Sequence, residues 1–284
     1  MSNALSVLQK SDKELTELEL MILEESAVEQ DAYDPIPTRI KISPGGINVF
    51  STNDGETFKS LTGIIAISQK ARAYWPEQGT GSPPMCSSPD GTHGYIGGEV
   101  TDAQYRAATT AKNPHPVIKL MDNNKVIPEH FDCSTCPLAQ WGSAHQGGKE
   151  SKAIACKSLR RLVVLKDGWA QPALFTLPPT SIKSFDGYAS ALAREKGAYW
   201  AVRSKVTLEA QKSNNGELYS IATFAVDAPL TNKAELMAVI EIRRQFAELV
   251  RAMPIDGNEY EVIDPGEATT AQAVDDDDEK TPPF

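Results

Sequence analysis

KSLTGIIAISQKARAYW, residues 59–75, decides how the chain is read. It reads as one long β-strand, and in a strand alternate residues share a face. Lys70, Arg72 and Tyr74 then lie on one side, with Ile65, Ile67, Ala71 and Ala73 on the other. The pattern recurs in AYWAVRSKVTLEAQ, residues 198–211. There Trp200, Val202, Ser204, Val206, Leu208 and Ala210 form an apolar face, and Tyr199, Ala201, Arg203, Lys205, Thr207 and Glu209 form the other. In TRIKI, residues 38–42, Arg39 and Lys41 oppose Ile40 and Ile42. RRLVVLK opens with Arg160 and Arg161, though its interior is apolar on both faces.

Three strands thus each put cations on a face away from the core, two of them with a tyrosine. Gathered in one sheet, they would make a basic surface bearing rings. Such a surface suits single-stranded nucleic acid: cations follow the phosphates, and exposed rings stack on unpaired bases at ~1–3 kcal/mol per base. Duplex readers more often present a basic helix to the major groove, and no helix here has that pattern. The competing reading is a solvated strand face that happens to be basic. Trp75 and Trp141 fit either stacking platforms or the core.

Outward from these strands, residues 1–34 read as a helical arm. Ser11 and Glu14 form a capping box, and Leu15, Leu18 and Ile22 recur at helical spacing. TRIKISPGGINVF gives two short strands around a Pro-Gly-Gly turn, and RRLVVLK and PALFTL pair around Asp167-Gly168. A helix follows over 178–197, with Ile182, Phe185, Ala189 and Leu192 on one side and Gly197 as its stop. ELYSIATFAVDA follows the KSNNG turn as a hairpin partner of the Arg203 strand, and NKAELMAVIEIRRQFAELVRAM is a closing helix. From Asp256 the composition predicts disorder.

Charge is unevenly spread. The net of −10 divides into −7 for residues 1–34, +6 for 35–255 and −9 for 256–284. A basic body between acidic ends points to a polyanionic partner for the body and a separate role for the ends, which could also be merely solubilising. No apolar run approaches the ~20 residues of a membrane span, and the N-terminus lacks the features of a secretion signal. The expected location is the cytosol of a bacterial or phage-infected cell, with no membrane partner.

Residues 76–157 are rich in Gly, Pro, Ser, Asn and His, and something must hold so long an irregular stretch together. All four cysteines, Cys86, Cys133, Cys136 and Cys156, fall in it. The CSTC spacing lets two thiolates face one metal, and four soft ligands suit tetrahedral, structural zinc, which would supply folding energy. A disulfide, a redox CxxC and plain buried cysteines are the alternatives. His130 and His145 lie close enough in sequence to replace one ligand; His93 and His115 read as ordinary loop residues.

The chain ends in DDDDEKTPPF. This resembles the C-terminal tip of bacterial single-stranded DNA-binding proteins at Asp275, Asp276, Asp277, Asp278, Pro283 and Phe284; Lys280 and Thr281 depart from the pattern. In that family the tip docks onto partners, the ring entering an apolar pocket and the carboxylates meeting basic residues. Phage replication proteins of the same function also carry such tails, and some insert a structural zinc site into an OB-fold.

The resemblance implies an α+β, mainly β fold. This would be an OB-fold-like barrel or curved antiparallel sheet with an inserted four-cysteine zinc subdomain at 76–157, flanking helices and a disordered acidic C-terminal tail. It implies coating of single-stranded DNA in phage replication or recombination, with replication and recombination proteins recruited through the tip. Self-association along DNA stays open. So do two other classes: a regulatory or DNA-mimicking interaction protein, and a DNA-processing enzyme, although no P-loop, G-x-S-x-G or H-E-x-x-H motif occurs.

Overall fold

The computed structural model describes residues 38–76, 82–146, 149, 150, 153–213, 216, 218–257 and 259. The expected N-terminal arm and the tail from residue 260, with Asp275 to Asp278, Pro283 and Phe284, lie outside these residues.

The 59–75 stretch is a single strand, β4 (Ser60–Tyr74). Before it come β1 (Thr38–Ile42), β2 (Phe50–Thr52) and β3 (Thr57–Phe58). Two short strands, β5 (Cys86–Ser88) and β6 (His93–Ile96), follow, then helices α1 (Asp102–Thr110) and α2 (Pro116–Asp122). After the small strands β7 (Phe131–Asp132), β8 (His145–Gln146) and β9 (Lys149–Glu150) come β10 (Lys157–Lys166), β11 (Ala173–Leu177) and α3 (Pro179–Arg194). The chain closes with the hairpin β12 (Val202–Lys212) and β13 (Leu218–Pro229), and with α4 (Lys233–Ala252). The described residues of the 76–157 segment are therefore less irregular than its composition predicts. Thr101 opens α1 with a full capping box, satisfying N–H groups that a free helix end would expose.

The main sheet is mixed. Its strands run in the order β3-β2-β1-β11-β10-β4-β5-β6-β7, and β4 also pairs with β12, which pairs with β13. β1 and β11 are parallel; the other pairs are antiparallel. Among the described residues no pairing joins the ends, so the sheet is open and differs from the expected closed barrel or wholly antiparallel sheet. β4 is its branching strand. One edge pairs with β10, while the other carries β12 at Ser60–Gly63 and β5 at Arg72–Tyr74. Gly63 sits where the ladder is tightest: a Cβ there would lie 2.2 Å from the Leu165 carbonyl oxygen.

Each face of the sheet has its own core. On one, Ile40, Phe50, Leu61, Ile65, Leu162, Phe175 and Val206 pack with Phe185 of α3. On the other, Ile64, Ala66, Ile67, Val163 and Leu174 pack with Val239 and Ile242 of α4. Burying each of these large side chains contributes about 1.5–3 kcal/mol. Ile65 and Ile67 are thus on opposite faces, not together as simple alternation predicts. The cause is a register shift opposite Val163 and Val164, where Val163 pairs with Ile67 and Val164 with Ile65. One extra residue on β4 inverts the facing of everything beyond it.

Among the described residues Arg161 is the largest fully buried side chain, at 0% exposure. It donates to both carboxylate oxygens of Glu259, at 3.1 and 2.9 Å, and to the carbonyls of Val250 and Met253 at the end of α4, at 3.0 and 2.8 Å. Thr176 donates its hydroxyl to the same carboxylate at 3.1 Å. The guanidinium therefore neutralises Glu259 and caps the negative end of a helix at once. Disorder is the expectation from Asp256, yet Asp256 and Glu259 take part in this clamp: Asp256 pairs with Arg39, and Glu259 is 2% exposed. Among the described residues no helix is long and apolar enough to cross a membrane.

Removing one partner of a buried, hydrogen-bonded pair leaves an uncompensated charge. Glu259→Gln is expected to lower the unfolding free energy by about 3–5 kcal/mol in urea titrations. Asp256→Asn removes a half-exposed partner and should cost no more than about 1 kcal/mol.

Candidate metal centre and nucleic-acid interface

The four cysteines reach one place from four chain segments. Cys86 opens β5, held to β4 by its pairing with Tyr74. Cys133 follows β7, and its N–H bonds the Thr92 carbonyl at 2.9 Å, tying it to the turn before β6. That turn is fixed by Asp90, whose carboxylate accepts the backbone N–H of Thr92 and of His93 at 2.8 Å each. Asp132 accepts the Ser134 N–H at 2.8 Å and shapes the CSTC loop. Cys136 begins a short 3-10 turn over Pro137–Ala139. The Cys156 N–H bonds the Leu138 carbonyl in that turn at 2.9 Å, joining the loop to the start of β10.

All four sulphur-bearing residues line one cavity of about 20 Å³, together with Arg72, Tyr74, Ser88, Gly94, His115 and Phe131. A Cβ on Gly94 would stand 2.9 Å from the Cys86 Sγ, so only glycine lets β6 come this close. All four cysteines are free thiols. Burial, and then the neighbouring Cys156, Cys133 and Cys136, push the Cys86 thiol up. Burial, Cys133 and Cys136 push Cys156 up to about 12, with Arg72 pulling the other way. Burial also raises Cys133, against the Ser88 hydroxyl and Arg72.

Four thiols are a donor set of the kind that soft metals take, and all four line the one cavity. As the side chains stand, however, no group of three or more His, Cys, Asp or Glu among the described residues is arranged to hold a metal ion. The imidazole at the cavity is that of His115, 1% exposed, which had read as a loop residue. His130 is exposed and packs edge-on against His93 at 4.9 Å; it does not line the cavity. The side chain of His145 lies outside the described residues. His115 caps α2: its Nδ1 accepts the Val117 N–H at 3.1 Å, which places the ring proton on Nε2. The sequence signal was the pair His115-Pro116, a polar residue before a proline at a helix start.

The expected basic face is divided. Lys70 pairs with Arg160 and Arg72 with Ser158, so these side chains share the face of the α3 core, just beyond Leu162. Lys205 pairs with Thr62, and Arg203 reaches Glu235 of α4 at 2.9 Å, which places both on the opposite face. Arg39, Lys41 and Arg161 lie on that second face too, since Arg39 pairs with Leu174 and Arg161 with Thr176. The one-residue shift in β4 is the physical reason. Without it, Lys70 and Arg72 would share a face with Thr62 and Lys205.

Several predicted contacts are also engaged within the chain. Arg161 is buried on Glu259; Arg39 pairs with Asp256 and, at 3.8 Å, with Glu259. Arg203 pairs with Asp167 and Glu235, and Arg160 with Asp186 at 2.7 Å. Tyr74 is 4% exposed and stacks on His115 in the cysteine module. Tyr199 lies on a 3-10 turn, not in the strand, and meets Phe185 edge-on at 5.6 Å. Tyr74 is therefore an interior ring, and Tyr199 is partly buried against the core. Lys70 and Lys205 are exposed, and Lys41 is half-buried. Of the two ambiguous tryptophans, Trp75 is core, bonding the Ser82 carbonyl at 3.1 Å, whereas Trp141 is 81% exposed within the cysteine module.

Thiol reagents attack the thiolate, so burial and a raised pKa both slow the reaction. With a chelator present near neutral pH, Cys133 and Cys136 should be modified before Cys86 and Cys156, as read by mass spectrometry of peptides. No family model, curated protein or solved structure matches this chain.

Proposed function

We propose that the chain is a single-stranded nucleic-acid-binding protein whose cysteine module is held by structural zinc. The observation that carries the reading is the pairing of Lys70 with Arg160 on the stretch of β4 and β10 that runs past the apolar core toward that module. Two cross-strand cations there can follow successive phosphates, and the exposed Trp141 ring offers a stacking surface. Arg160 is mostly buried, 12% exposed, and pairs with the half-exposed Asp186, whose carboxylate a phosphate would have to displace. The β-rich body would fill the part an OB-fold fills in such proteins, with an open sheet in place of a barrel.

The acidic C-terminal residues fit a tail that competes with phosphate for the body's cations and recruits replication or recombination partners. Zinc would be held by Cys86, Cys133, Cys136 and Cys156, and it would add folding energy to the apolar cluster of the module, which includes Met85, Val117, Ile118 and Leu138. A second reading has its own support: Arg39, Arg160, Arg161 and Arg203 all face carboxylates within the chain. That favours an interaction protein whose acidic ends are the binding elements.

Fluorescence titration with oligo-dT across a salt series separates the two. Binding to oligo-dT over duplex with a steep salt slope is expected. Lys70→Ala and Arg160→Ala should each reduce the slope by about 1, and Trp141→Ala should weaken binding by ~1–3 kcal/mol. Absence of binding alongside a tight protein partner would establish the second reading instead.

A further inference from the structure

Two buried donors face the cysteine cavity without acceptors. His115 Nε2 and Arg72 Nη1 are each buried with no hydrogen-bond partner, and both residues line the cavity that the four cysteines share. The His115 ring is fixed on three sides: Nδ1 by the Val117 N–H, one face by Tyr74, and its edge by Phe131 at 4.8 Å. It therefore cannot turn to find another acceptor without breaking its helix cap.

A buried donor left unsatisfied costs about 1–3 kcal/mol, and natural structures rarely tolerate one. Two such donors, on residues that line the cavity the four cysteines share, call for a common explanation. Neutral thiols are weak acceptors, whereas thiolates accept strongly. A divalent cation converts buried thiols to thiolates as it binds, releasing their protons. Four thiolates around such a cation carry two net negative charges, and a guanidinium beside them offsets one.

We propose that His115 and Arg72 are positioning residues for a four-thiolate metal centre: each donates an N–H to the sulphurs of Cys86, Cys133, Cys136 and Cys156, and Arg72 also supplies charge balance. The inference rests on the metal reading above. It also reassigns Arg72 from the nucleic-acid face to the cysteine module. Outer hydrogen bonds of this kind orient ligands, and losing one typically weakens metal binding ~10–100-fold.

The test uses the full chain, with zinc content by elemental analysis and affinity by competition of Co²⁺ against a chelator, followed through the tetrathiolate visible spectrum. Wild type should bind a single ion. His115→Phe and Arg72→Met should each bind ~10–100-fold more weakly with a shifted spectrum, while His115→Gln and Arg72→Lys retain most of the affinity. Wild-type affinity and spectrum in His115→Phe and Arg72→Met overturn the inference. So does equal loss in the conservative pair, because packing and not the donor would then matter. Should His115→Phe fail to fold, the Arg72 pair decides. A wild-type chain that binds no metal overturns the metal reading itself, a result distinct from metal-replete variants that behave like wild type.

Discussion

The backbone ladder between β4 and β10 is the interaction on which the rest of the molecule depends. It runs from Gly63 to Ala73 on one strand and from Lys157 to Lys166 on the other. At one end it belongs to two apolar cores; at the other it supports the cysteine module through Tyr74, Cys86 and Cys156. A single-residue irregularity near Ala66 alters the facing of β4 beyond it: Ile67 joins Ile64 and Ala66 on the α4 side, and Lys70 and Arg72 fall on the α3 side.

That irregularity also shows what could be read in advance. The long strand, the two hairpins, the packing side of α3 and the closing helix follow from period, turn residues and caps, which act locally. The meeting of four cysteines followed from their chemistry. The splitting of the cations did not, because strict alternation assumes an unbroken strand. A warning was present: an apolar run such as Ile64-Ile65-Ala66-Ile67 cannot come from a strand buried on one side alone.

Other features were hidden by distance along the chain. Arg161 and Glu259 are 98 residues apart, and nothing near either one announces the other. An arginine at a strand start reads as a surface cation until its carboxylate is located, and the same holds for Arg39 and Arg203. Tyr74 and His115 are similar cases. A tyrosine on a polar strand face and a histidine in a loop became interior groups only because β5, α2 and β7 fold over them.

The position of Glu259 has a practical consequence for where this polypeptide can be cut. A fragment ending at residue 255, the point where composition turns acidic, would strand a guanidinium in the interior with only carbonyls for company. One ending just past 259 keeps its counter-charge. The body therefore reaches at least to Glu259, a few residues beyond the point where amino-acid usage turns acidic.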